Sequence, residues 1–195
     1  MSRDFRQTGE QVIHEGWIMK LVRGEFEGPD GTRFERDIIR HPGAVGVVAV
    51  DGPEVVLVRQ YRPVMDDDLL EIPAGTRDHP GEAPEATARR ELEEEIGATA
   101  SSLEHLATYW VAPGVSDEKM YLYLATGLTF GSRRLDGIEE QHMTVERIAL
   151  AEGPALIAAG EIVDAKSIVG LLLATARLGA AGAVDAPPNQ DPEGG

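Results

Sequence analysis

Apolar residues between Gln11 and Arg40 come in short, alternating groups: Val12 and Ile13, Trp17 and Ile18, Leu21 and Val22. A turn at Gly28-Pro29-Asp30-Gly31 follows, then Thr32 to Glu35 and Ile38-Ile39, so this stretch predicts antiparallel strands. Ala44 to Val50 is instead a continuous β-branched run ended by Asp51-Gly52-Pro53, and Glu54 to Arg59 returns as its hairpin partner. Strands with so little alternation belong in a sheet covered on both faces.

The period changes at Pro84, where Ala88, Leu92 and Ile96 repeat every four residues. Pro84 suits a first helical turn and Gly97 the position just past a helix, so 84–96 is predicted as an amphipathic helix. Strands are expected again at Leu103–Val111, Met120–Ala125 and Met143–Ala149, with an acidic loop over 136–141. Helical segments at Gly153–Ala159 and Ala165–Leu178 close the pattern. Residues 1–10 are polar and 179–195 are Ala, Gly, Pro and acid, predicting a frayed start and a disordered tail. The expected fold is α/β: a mixed sheet sandwiched between helices over 43–178, preceded by an N-terminal antiparallel β extension over 11–42.

The 195 residues suit one domain with a real core. The 34 acidic residues outnumber 18 basic ones, giving a formal charge of −16. Such a surface repels nucleic-acid backbones and anionic membranes, so neither is an expected partner. An anionic substrate would need a local positive charge, for which a bound metal is the obvious candidate. The chain has no cysteine, which excludes a disulfide scaffold, a zinc–thiolate site and a thiol nucleophile, and fits a cytoplasmic protein. No basic start precedes an apolar run, so no secretory signal is expected. The longest apolar run, Ile168–Ala176, falls short of the ~20 residues that span a bilayer.

Eleven of the acids fall within 66–95, beside only Arg77, Arg89 and Arg90. Most acidic runs are solvated faces, but placement on the predicted helix argues otherwise here. At ~100° per residue, Glu91 and Glu95 lie about 40° apart and Glu94 about 60° on from Glu91. All three therefore share a face beside the apolar stripe, while Glu93 points elsewhere. Like charges at this spacing cost a few tenths of a kcal/mol per pair, roughly. A cation between them would turn repulsion into coordination, and oxygen-only ligation suits Mg²⁺ or Mn²⁺.

The pattern Gly75-x6-Glu82-x7-Arg90-Glu91-Leu92-x-Glu94-Glu95-x-Gly97-Ala98 resembles the Nudix box, the signature of Nudix hydrolases. The family has five residues after the first Gly where this chain has six, and a larger aliphatic where Ala98 stands. The extra residue falls within Asp78-His79-Pro80-Gly81, before the helix, so carboxylate spacing is intact. Five further segments are similar to the ADP-ribose pyrophosphatase branch. They are Val58–Pro63 with Leu70–Gly75, Ala112-Pro113-Gly114 with Ser116-Asp117-Glu118, and Gly160–Ser167. The spacing from Gly97 to Pro113 is that branch's specificity mark.

The resemblance implies metal-dependent hydrolysis of ADP-ribose to AMP and ribose 5-phosphate. It makes Glu91, Glu95 and the Ala74 carbonyl metal ligands, with Glu94 a ligand or support. Arg90 would orient carboxylates or form a plain helix ion pair with Glu94. Glu82 could equally act on the helix dipole. Arg62 would contact the diphosphate, although a salt bridge to Glu71 is an alternative and both can hold; Glu71 is counted with the substrate residues. Trp17 and Arg36 would contact adenine, with a core aromatic as the alternative for Trp17. Glu118 would support substrate or base. Glu139 or Glu140 would be the general base, Glu139 being the first choice. In the family the N-terminal extension is exchanged between subunits, which implies a homodimer. Two other readings stay open: a Nudix enzyme for another nucleotide sugar or nucleoside diphosphate derivative, and a nucleotide-binding regulator with the same fold.

Overall fold

The computed structural model describes residues 4–134 and 141–184. Strands β1 (Arg6–Glu15), β2 (Lys20–Glu27) and β3 (Arg33–Arg40) form an antiparallel three-stranded sheet in that order. Residues 6–10, expected to fray, are paired strand: Arg6 lies opposite Glu27 and donates to its carboxylate at 2.7 Å. Ladder hydrogen bonds come from the backbone, so a polar segment can join a sheet without an apolar signal.

The larger sheet has seven strands. They are β4 (Ala44–Asp51), β5 (Glu54–Arg62), β6 (Asp67–Glu71), β7 (Ala74–Thr76), β8 (Ala98–Trp110), β9 (Lys119–Phe130) and β10 (Thr144–Ala149). Its path is β10-β5-β4-β9-β8, with β6 paired to β5 and β7 to β4. Only β4 and β9 run parallel, so the sheet is mixed. Strands β6 and β7 were not expected; at five and three residues they carry too few positions to show a period.

Alternate residues of β4 enter opposite layers. Val45, Val47 and Ala49 pack with Ala88, Leu92 and Ile96 of α1 (Pro84–Ile96). Val48 and Val50 pack with Ile162 and with Leu171 and Ala174 of α3 (Ala165–Val184). Both faces are covered, which is why the strand reads as an unbroken apolar run. The short α2 (Gly153–Ala159) completes the α3 layer. Helix α3 continues past Leu178 to Val184, correcting the expected start of the tail at 179; its alanines are strong helix formers. Among the described residues no helix is long and apolar enough to cross a membrane.

The small sheet is tied to the large one through the end of β3. Ile39 N–H donates to Val115 O at 2.8 Å, and Asp117 N–H returns to Ile39 O at 3.1 Å. The Asp117 carboxylate also accepts from Arg40 at 3.0 Å and from His41 N–H at 2.9 Å. Away from this tether the small sheet keeps exposed apolar side chains, including Val12, Ile13 and Ile18.

Candidate active site

Helix α1 carries one wall of the site. It stops at Gly97, whose φ of 65° is left-handed and whose Cβ, if present, would lie 2.8 Å from Gly131 O. Because the Ala88/Leu92/Ile96 stripe must face the sheet, Glu91 and Glu95 are carried inward with it and are only 6% and 3% exposed. Burial at that depth requires partners. The Ala74 N–H donates to Glu95 Oε2 at 2.9 Å. Gly75 lies so close to Glu91 that a Cβ there would sit 2.0 Å from its Oε1, so the β7 backbone rests directly on the carboxylate.

Arg90 is the hub of this wall. Its Nη1 is 2.9 Å from Glu91 Oε1 and 2.8 Å from Glu94 Oε2, and its Nη2 lies 3.6 Å from Glu82 and 3.5 Å from Asp78. Asp78 belongs to the lengthened loop before α1. Burial would lower the Arg90 pKa, but Glu91, Glu94 and Glu82 outweigh it and hold the guanidinium charged. Glu82 also accepts from Thr87 Oγ1 at 2.9 Å; burial pushes its carboxyl up, and Thr87 with Arg90 brings it below the usual range.

Glu91 and Glu94 are thus bridged by a guanidinium, and Glu95 turns to the Ala74 amide. Among the described residues no three carboxylate or imidazole groups stand close enough to share one ion. The donor set still fits a hard divalent cation. It consists of buried carboxylates beside a peptide backbone pressed against them at Gly75, oxygen donors throughout. Glu91, Glu95 and the Ala74 carbonyl are the groups that would hold it.

The other side of β7 pairs two cations with two carboxylates. A cleft of about 190 Å³ is lined by Arg62, Ala74, Gly75, Thr76, Glu118 and Lys166, together with His41, Ala44 and Met120. Arg62 closes a fork on Glu71, Nε to Oε1 at 2.7 Å and Nη2 to Oε2 at 2.5 Å. Lys166 bonds the same Oε2 and lies 3.0 Å from Asp164. Glu71 is 1% exposed, so burial pushes its carboxyl up. Arg62 and Lys166 overcome that and hold it below the ordinary value. The expected Arg62–Glu71 salt bridge therefore exists, and Arg62 also faces the cleft.

The remaining predicted residues are scattered. Glu118 lines the cleft, its N–H donating to Ser116 Oγ at 3.1 Å and its carboxylate 3.8 Å from His41 Nδ1. Arg36 and Pro113 meet elsewhere, in a depression of about 260 Å³ between β3 and the 111–118 loop. Arg36 there lies 4.8 Å over the Phe34 ring. Trp17, in the β1–β2 connection, is fully exposed and lines neither depression, so it is not a core aromatic. Glu139 and Glu140 lie outside the described residues. Sequence reasoning missed Lys166, Thr76 and His41 as cleft residues. Only Lys166 carried a signal, as a lysine opening an otherwise apolar helix within the Gly160–Ser167 segment.

Residues 40–166 match the family model of the NUDIX domain. The chain belongs to the Nudix family. The matched span of this Nudix chain includes α1 and all the residues that line the cleft, whereas Trp17 and Arg36 precede it. It is 39% identical to an ADP-ribose pyrophosphatase of Mycobacterium tuberculosis over 170 residues, covering 87% of this chain and 82% of that one. It is 34% identical to an ADP-ribose pyrophosphatase of Bacillus subtilis, covering 85% and 90%. A solved ADP compounds hydrolase superimposes with a TM-score of 0.80 at 23% identity, covering 92% of this chain and 97% of that structure, which shows the same fold. Nudix hydrolases generally need divalent metals, in keeping with the carboxylate-rich wall.

Proposed function

We propose that this Nudix hydrolase cleaves the diphosphate bridge of ADP-ribose, giving AMP and ribose 5-phosphate. One observation carries the reading: the backbone at Ala74 and Gly75, which lines the cleft together with Arg62 and Lys166, rests directly on two buried carboxylates, Glu91 and Glu95. The names of the relatives at 39% and 34% identity support the choice of substrate. Water adds to one phosphorus as the bond from that phosphorus to the bridging oxygen breaks, and the departing phosphate keeps the electron pair. A bound divalent cation, Mg²⁺ or Mn²⁺, would neutralise the diphosphate and lower the pKa of the water. Arg62 meets the phosphate oxygens with the part of its fork that Glu71 leaves open. Glu118 supports substrate from the cleft lining. Glu139, or failing it Glu140, takes the proton of the attacking water.

Incubation with ADP-ribose and Mg²⁺ or Mn²⁺ should release AMP and ribose 5-phosphate in equal amounts. Cleavage of another nucleotide sugar with ADP-ribose untouched would overturn the substrate, and undiminished turnover in chelator would overturn the metal. Glu139→Gln and Glu140→Gln should differ in turnover by about 10²-fold or more, since only one can be the base.

The fully exposed Trp17 and the open face of the small sheet support a homodimer in which each adenine site borrows Trp17 or Arg36 from the partner. Activity should then fall on dilution in step with dissociation seen by sedimentation; a fully active monomer rules the exchange out.

A further inference from the structure

Lys166 is the one buried ammonium in contact with the cleft that the proposed chemistry does not need for a bond-making step. A buried lysine costs stability unless it is paired, and this one is paired twice, to Glu71 and to Asp164. Its neighbour Ser167 accepts a hydrogen bond from Ile72 N–H at 2.8 Å and donates to Asp164. The first turn of α3 therefore grips residues 71–72. That short segment leads at one end to the Arg62 fork on Glu71, and three residues on to the Ala74 amide that holds Glu95.

Charge counting shows what Lys166 does there. Arg62 and Lys166 carry two positive charges against two negative ones on Glu71 and Asp164, so this four-residue cluster is neutral. Without Lys166 the cluster holds one excess carboxylate, and the Arg62 charge is spent on Glu71 alone. A diphosphate would then meet a net negative cluster.

We propose that Lys166 is a positioning residue for the diphosphate: by sharing Glu71 with Arg62 it offsets that carboxylate, so that the part of the Arg62 fork Glu71 leaves open can bind the anion. The inference rests on the diphosphate-hydrolase reading above. It differs from direct contact between Lys166 and substrate, because it predicts that removing Glu71 as well should repair the defect.

Calorimetric titration in chelator, with ADP-ribose and with inorganic pyrophosphate as probes, separates these cases. Lys166→Met should raise Kd by about tenfold or more, the scale on which lost supporting partners act. Lys166→Arg should stay near wild type. The double variant E71Q/K166M, which leaves no excess carboxylate at Arg62, should return to within about threefold of wild type. A double variant as weak as Lys166→Met, or weaker, overturns the proposal in favour of direct contact. Unchanged affinity in Lys166→Met with only a lowered melting temperature overturns it in favour of a structural role. If Lys166→Met does not fold, the neutral double variant is compared with wild type directly, and a loss beyond tenfold refutes the proposal. Wild type that binds pyrophosphate but not ADP-ribose sinks the substrate reading alone, and the comparison stands on pyrophosphate.

Discussion

The two charged clusters on either side of β7 handle their charge in opposite ways. On the α1 side the Arg90 guanidinium serves four carboxylates, Asp78, Glu82, Glu91 and Glu94, with Glu95 buried beside them. On the α3 side Arg62 and Lys166 face Glu71 and Asp164, charge for charge. A balanced cluster is complete by itself and serves as scaffold. An unbalanced one holds like charges together at a cost that a divalent cation would relieve. Burial alone therefore does not mark chemistry: Glu71 is as buried as Glu95, yet Glu71 is held by two cationic side chains whereas Glu95 accepts from a backbone amide.

The largest effect expected from this contrast is on turnover. Glu95→Gln should keep the hydrogen bond from Ala74 N–H, because an amide oxygen still accepts, while removing a charge from the carboxylate cluster. Turnover should fall by about 10²–10³-fold with the melting temperature nearly unchanged; a variant of near-full activity would take Glu95 out of the reaction. In the balanced cluster the expected loss is one of stability. Glu71→Ala leaves Arg62 and Lys166 facing each other and should cost about 3 kcal/mol in urea unfolding. Because the folded Glu71 carboxyl is depressed below its ordinary 4.5, its contribution is present above that pH. The contribution is lost as pH falls through the lower folded value. Glu71→Ala should accordingly flatten the acid limb of the stability curve, and an identical acid limb would contradict the pairing. The smallest effect belongs to Asp78, whose side chain is 57% exposed at 3.5 Å from Arg90. Asp78→Asn should shift stability by less than about 0.5 kcal/mol. A larger loss would mean that the lengthened loop is part of the acidic cluster rather than its edge.

Much of this molecule is legible from residue order because the signals are local. The helix at 84–96 follows from Pro84, the four-residue apolar repeat and Gly97, and the structure places its ends at those residues. The buried strands β4 and β5 follow from valine-rich apolar runs. The facing of Glu91 and Glu95 follows from helical geometry once Leu92 and Ile96 are turned inward. Residues 6–10 are strand where fraying is expected, and α3 runs past the expected helix end at Leu178. Backbone pairing in β1 and alanine helicity in α3 leave no apolar trace.

Periodicity along the chain determined that a sheet would be covered on both faces and that a set of carboxylates would be drawn inward by the apolar stripe beside them. It could not determine what those carboxylates would meet. Lys166 reaches Glu71 across 95 residues of chain, and Gly75 comes to rest on Glu91 through strand pairing between β7 and β4. Such contacts are set by how layers stack and strands register. A charge's partner is therefore decided in three dimensions, even when its burial is already written in the local pattern.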